Sequence, residues 1–311
     1  MISTASPKVV YLSGGVGGAR LLLGMSRVLP EGQLTAVVNT GDDFVHWGLR
    51  ICPDLDTVMY TLAGRSDFAR GWGLDGETFG ALSLVQQYGG EDWFSLGDHD
   101  LGTHLMRNER LGQGQTLTQV TRGLCGSLGV TADILPMTDA PVQTMIDTTD
   151  GRSLPFQRWF VQERTQPKVA RVWLRGEPTP TPAVTEALAA AELIVIGPSN
   201  PYVSIDTILQ VPGIADAVAR RPVIAVSPIV GGRAVKGPLA EMIAALTGGV
   251  ADAGAIARHY GGRLAAMVVE SGDQDSVEGL PVYSTGTIMK TPDDSRRLAE
   301  QLLAFARERV L

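Results

Sequence analysis

Six times along this 311-residue chain a short, continuous apolar run ends in a cluster of Gly, Ser, Asn, Thr, Pro or Asp. Val9–Leu12 leads into Ser13-Gly14-Gly15-Val16-Gly17-Gly18, Thr35–Val38 into Asn39-Thr40-Gly41-Asp42-Asp43, and Leu193–Ile196 into Gly197-Pro198-Ser199-Asn200-Pro201. Val223–Val226, Ala265–Val269 and Val282–Tyr283 behave likewise. A strand with one wet face alternates polar and apolar residues, whereas a strand covered on both faces is apolar throughout. Helical patterns at Arg20–Leu29, Pro238–Leu246 and Ser295–Val310 separate or follow these runs. The expectation is one Rossmann-like α/β domain over residues 1–311, with a mainly parallel sheet and flanking helices.

Two stretches depart from that rhythm. Residues 142–176 alternate polar and apolar around Asp150-Gly151, a hairpin signal, and predict a small antiparallel β insertion in which Phe156–Val161 is one of the apolar runs. Residues 64–130 are Gly-punctuated and helical in pattern, which predicts a partly helical cap.

Bulk properties narrow the partners. A net charge of −7 argues against nucleic acid and anionic membranes, which need a surplus of Lys and Arg. No uninterrupted apolar run reaches spanning length, so no membrane partner and a cytoplasmic location are expected. Cys52 and Cys125 are too few for a disulfide framework and read as small buried hydrophobes.

Open α/β sheets bind ligands beyond the carboxyl ends of their strands, where all the polar clusters fall. The turn Ser13–Gly18 suits backbone donation to a phosphate through Gly14, Gly15 and Gly17. Yet Arg20 stands where a dinucleotide fingerprint has its third Gly, and the Lys-Ser/Thr ending of a P-loop is missing. That counts against an NAD-dependent oxidoreductase. Asn39, Asp42, Asp43, Asp54 and Asp56 gather carboxylates and an amide within a short stretch. Read as an extended segment, Pro53–Thr57 aims Asp54 and Asp56 to one side, as hard ligands for Mg²⁺; any one Asp taken singly reads better as a helix cap, and the group taken together as a metal and substrate site. A third acidic knot, Gly97–His104, holds Asp98, His99, Asp100 and His104, with His104 serving as a general base, as a ligand or as structure. Ser199 and Asn200 offer hydrogen bonds to a base or phosphate, and Gly231, Gly232 and Lys236 form a further loop with a cation.

These blocks, in this order from Val10 to about Lys290, resemble the 2-phospho-L-lactate transferase family of deazaflavin coenzyme F-420 biosynthesis. The resemblance implies a Mg²⁺-dependent enzyme, commonly a homodimer, that takes a guanylylated phosphoacid. The acid is 2-phospholactate, phosphoenolpyruvate or 3-phosphoglycerate. The ribityl hydroxyl of the deazaflavin Fo attacks, a phosphodiester forms and GMP leaves. By the same resemblance Asp43 and Asp56 hold the metal and orient the hydroxyl, with Asp42 and Asp54 in support. Nucleotide contacts fall to Gly14, Gly15, Gly17, Ser199, Asn200, Gly231 and Gly232. Asn39, Asp98 and Lys236 complete the expected substrate contacts. The rival within reach is a related cytosolic regulator that binds a UDP-sugar without transferring it.

Overall fold

The computed structural model describes residues 6–235 and 237–311. Seven of its strands form one sheet: β1 (Val9–Ser13), β2 (Leu34–Val38), β3 (Asp133–Pro136), β4 (Leu193–Ile196), β5 (Val223–Val226), β6 (Ala266–Glu270) and β7 (Val282–Thr285). The spatial order is β7-β6-β5-β4-β1-β2-β3, and every pairing is parallel. The six continuous apolar runs are therefore six of the seven strands.

Strand β1 shows why those runs are almost free of polar residues. Val9 and Tyr11 face a core built with Leu21, Leu22 and Met25 of α1 (Gly15–Val28) and Leu298 and Leu302 of the helix Pro292–Arg309. Val10 and Leu12 face the opposite core, with Val184, Leu188, Ile208 and Ile256. Burying a side chain of that size contributes about 1.5–3 kcal/mol, so a polar residue at any of these positions would cost comparably.

The strand order reverses direction at β1. Chain leaving β1 toward β2 and β3 builds one half of the sheet, and chain returning through β4 to β7 builds the other. Loops at that switch diverge and leave a crevice, which is where open α/β sheets hold ligands.

The insertion is a three-stranded antiparallel sheet of Gln143–Thr148, Ser153–Pro155 and Val169–Arg175. Its hairpin turns at Asp150-Gly151, where the Thr148 N–H donates to the Arg152 carbonyl at 2.9 Å. One expectation fails here. Phe156–Val161 is no strand: residues 158–162 form a helical turn. Its Trp159 buries against Phe156 and Val169 while Phe160 stays exposed, so the run marks a packed turn with aromatic outliers rather than a pleat. Residues 64–130 contain the helices Gly80–Gln87, Asp98–Gly112 and Leu117–Ser127, with irregular chain between. Among the described residues no helix is long and apolar enough to cross a membrane.

Candidate active site

A cleft of about 460 Å³ opens at the switch between β1 and β4. Gly14, Gly15 and Gly17 line it from the β1 loop, and Ser199, Asn200 and Ser204 from the β4 loop. Asp42 and Asp54 face it, as do Trp72, Phe94, Phe156 and Phe160. Ser227 and Pro228 after β5, and Thr287 to Met289 after β7, complete the rim. One cavity thus meets the ends of five elements and carries both a carboxylate pair and an aromatic surface.

The Gly-rich turn is satisfied from within. The Gly14 N–H donates to Ser199 Oγ at 3.1 Å, and that hydroxyl donates back to the Gly14 carbonyl at 2.6 Å. The Gly15 N–H donates to Asp54 Oδ1 at 2.7 Å, with Gly15 at φ +62°, a conformation that disfavours any side chain. A Cβ on Gly17 would lie 2.5 Å from the Pro198 carbonyl oxygen. Gly14 and Gly17 let the β1 and β4 loops touch each other; the Gly14 N–H is spent on that contact and the Gly15 N–H on Asp54.

Asp54 is 6% exposed, and its second oxygen accepts from Asn39 Nδ2 at 2.9 Å. Burial pushes its pKa up to about 6, opposed by those two hydrogen bonds. Asn39, fully buried, is held in that orientation because its Oδ1 accepts from the Gly41 N–H and from Thr207 Oγ1, both at 2.8 Å. Asp42 is raised well above the usual carboxylate range by burial and then by the neighbouring Asp54 charge. Its Oδ1 is buried without a partner.

Asp43 and Asp56 face elsewhere. Asp43 Oδ2 accepts from Arg50, at 3.2 Å from Nε and 3.0 Å from Nη2, and from Cys52 Sγ at 3.1 Å. Burial lifts it to about 6 despite Arg50, and its Oδ1 has no partner. Asp56 is gripped through both oxygens by Arg107, with Nη1 at 3.1 Å from Oδ2. Neither lines the cleft. The expectation that Asp54 and Asp56 share one side of an extended segment is wrong. Pro53 opens α2 (Pro53–Leu62), with its fixed φ suited to a first helical position. At about 100° per residue the two carboxylates diverge by about 200° around the helix.

The remaining expected contacts scatter. Asp98 caps the helix Gly80–Gln87, accepting from Thr78 Oγ1 at 2.6 Å and from the Gly80 and Ala81 N–H groups at 2.9 Å. Asn200 caps a turn through Tyr202, yet still lines the cleft. Gly231 and Gly232 sit in the exposed bend between Ile229–Val230 and Arg233–Ala234, outside the lining. Lys236 lies outside the described residues. His104 is buried behind α2, its Nδ1 3.0 Å from Arg107 Nη1, and burial pulls its pKa down to about 4. A neutral imidazole there supports Arg107 and lines no part of the cleft.

Sequence reasoning passed over three arginines. Arg50 and Arg107 clamp carboxylates, and the i+3 spacing of His104 and Arg107 on one helix face was the available signal. Arg20 lines the cleft on α1. Its Nη1 donates to the Met289 carbonyl at 2.8 Å, its Nη2 to the Phe68 carbonyl, and its guanidinium stacks 4.3 Å over the Phe68 ring. Among the described residues no three His, Cys, Asp or Glu side chains converge as a ready metal cage.

The family profile described as 2-phospho-L-lactate transferase CofD matches residues 9–303. A phosphoenolpyruvate transferase of Streptomyces griseus is 41% identical over 97% of this chain and 99% of its own length. One of Mycobacterium marinum is 41% identical over 96% and 98%. A solved structure from Bacillus halodurans, a member of the UPF0052 family, superimposes with TM-score 0.66 over 97% of this chain and all of that one. At 17% identity that match speaks for the fold alone. With a profile spanning nearly the whole sequence and relatives this similar end to end, the chain belongs to the 2-phospho-L-lactate transferase CofD family.

Proposed function

We propose that this chain moves a phosphoacid from its guanosine-diphosphate-linked form to the ribityl hydroxyl of the deazaflavin Fo, in the cytosol and as a homodimer. The observation that carries the reading is one cleft combining two high-pKa carboxylates, Asp42 and Asp54, with four aromatic side chains. A flat tricyclic acceptor suits Trp72, Phe94, Phe156 and Phe160, which offer ring faces and edges. The names of the similar transferases favour phosphoenolpyruvate as the acid.

In the proposed step the hydroxyl oxygen forms a bond to the phosphorus nearer the acid. The bond from that phosphorus to the oxygen of GMP breaks, and GMP leaves with the electron pair. The hydroxyl proton passes to a carboxylate. Asp54 suits that task, because a base with a pKa near 6 balances availability against strength close to neutral pH. Asn39 and the Gly15 N–H hold its carboxylate still, so the hydroxyl meets a fixed acceptor.

The residues present fit Mg²⁺. Asp42 lines the cleft and keeps a buried oxygen with no partner, and Mg²⁺ is commonly bound by one or two carboxylates completed by waters and substrate phosphates; Asp43, held by Arg50 outside the lining, is not among them. When bound, the ion would offset charge building on the diphosphate. Asp56, both oxygens held by Arg107, moves in this proposal from metal ligand to positioning residue.

The test is turnover of purified protein with Fo and guanylylated phosphoenolpyruvate, 2-phospholactate or 3-phosphoglycerate, with products weighed by mass spectrometry. GMP and one phosphodiester of Fo are expected, fastest with the phosphoenolpyruvyl donor. No product from any donor, together with thermal stabilisation by a UDP-sugar and none by GDP, would overturn the reading.

A further inference from the structure

The donor in the reading above carries a diphosphate and a carboxylate, yet the cleft presents it with two carboxylates of its own, Asp42 and Asp54. Two of the backbone donors expected at the phosphate turn are already engaged: the N–H groups of Gly14 and Gly15 donate to Ser199 and Asp54. Among the described lining residues a single side chain is cationic, Arg20. No carboxylate of the described residues pairs with it, whereas Arg50 and Arg107 are each closed onto an aspartate.

Resting on the transferase reading, we infer that Arg20 binds an oxyanion of the donor, either the carboxylate of the acid or a diphosphate oxygen. Its hydrogen bonds to the Met289 and Phe68 carbonyls take two of five N–H donors, and stacking on Phe68 fixes the plane. The other three remain to grip a planar or tetrahedral anion, a geometry that an arginine fork matches and a lysine does not. Part of the ordering cost is thus met before the ligand arrives.

The experiment compares wild type, Arg20→Gln and Arg20→Lys by calorimetry. The ligands are guanylylated phosphoenolpyruvate, GDP, the ethyl ester of GDP, which lacks the carboxylate, and uncharged Fo as control. Arg20→Gln should weaken donor binding by roughly ten- to a hundredfold and leave Fo within about twofold, since hydrogen bonds to charged groups are worth that much. Arg20→Lys should fall between. Equal loss across all three guanosine ligands assigns Arg20 to a phosphate, and loss confined to the acid-bearing donor assigns it to the carboxylate. Unchanged donor affinity, or a loss for Fo as large as for the donor, would sink this inference and make Arg20 a strut between Phe68 and Met289. Wild-type protein that binds none of the guanosine ligands would instead sink the transferase reading itself.

Discussion

Asp54 and Asp56 stand two residues apart on the first turn of α2, both about equally buried, at 6% and 5% exposure. Their surroundings differ completely. Asp54 meets a backbone N–H and an amide, keeps its surplus negative charge, faces the cleft and is lifted to about 6. Asp56 meets a fully buried guanidinium on the far side of the helix. The difference shows how a protein sorts identical side chains into chemistry and scaffold: a carboxylate answered by an arginine is held in place, and one answered only by neutral donors stays poised to accept a proton or a cation.

That contrast can be broken in three places. Asp56→Asn removes the charge facing Arg107 and leaves a buried cation unanswered, which should cost about 3–5 kcal/mol of unfolding free energy. Denaturant titration checks it, and a loss below about 1 kcal/mol would erase the distinction from Asp54. Asp54→Asn and Asp42→Asn should leave stability equal or higher, because both groups resist ionisation where they sit. Turnover should drop by about two to three orders of magnitude, the scale of a lost proton acceptor or charge partner at a reacting centre. Near-normal rates in both variants would move the chemistry off this pair.

The smallest effect is on pH. The folded pKa of Asp54 lies above its unfolded value near 4, so protonation favours the folded state. Its contribution is fully present below about pH 4 and is lost as pH rises through 6. Wild type should therefore lose roughly 2–3 kcal/mol relative to Asp54→Asn between pH 4 and 7.5. Parallel stability curves for the two proteins would show that Asp54 is not perturbed.

The sheet was legible in the sequence because strands covered on both faces leave no room for polar residues, and that constraint is local. The site was legible only as a set of loops. Asp42, Asp54 and Ser199 line the cleft as their loops promised, but which carboxylate turns inward depends on α2 starting at Pro53 and on Arg107 arriving from a helix more than forty residues later. A Pro at a first helical position was a readable sign; the reach of Arg107 was not, because nothing near Asp56 in the chain announces it. Phe156–Val161 misled for a related reason. Its aromatic residues satisfy a small satellite core, and burial there fixes which side chains point inward without requiring a pleat.

Strand β1 sits in the middle of the sheet, with Val9 paired to Leu34 on one side and to Leu193 on the other. During synthesis the first partner emerges almost at once, while the second is on the order of 180 residues away, roughly 10 to 40 s at typical elongation rates. For that interval one edge of β1 is an open ladder of apolar residues, and the turn that later binds Ser199 has nothing to bind. A nascent chain of this topology therefore passes through a long stage with half a sheet and no cleft. Changes that slow arrival of β4 should show first as aggregated protein, well before any effect on the activity of the molecules that finish folding.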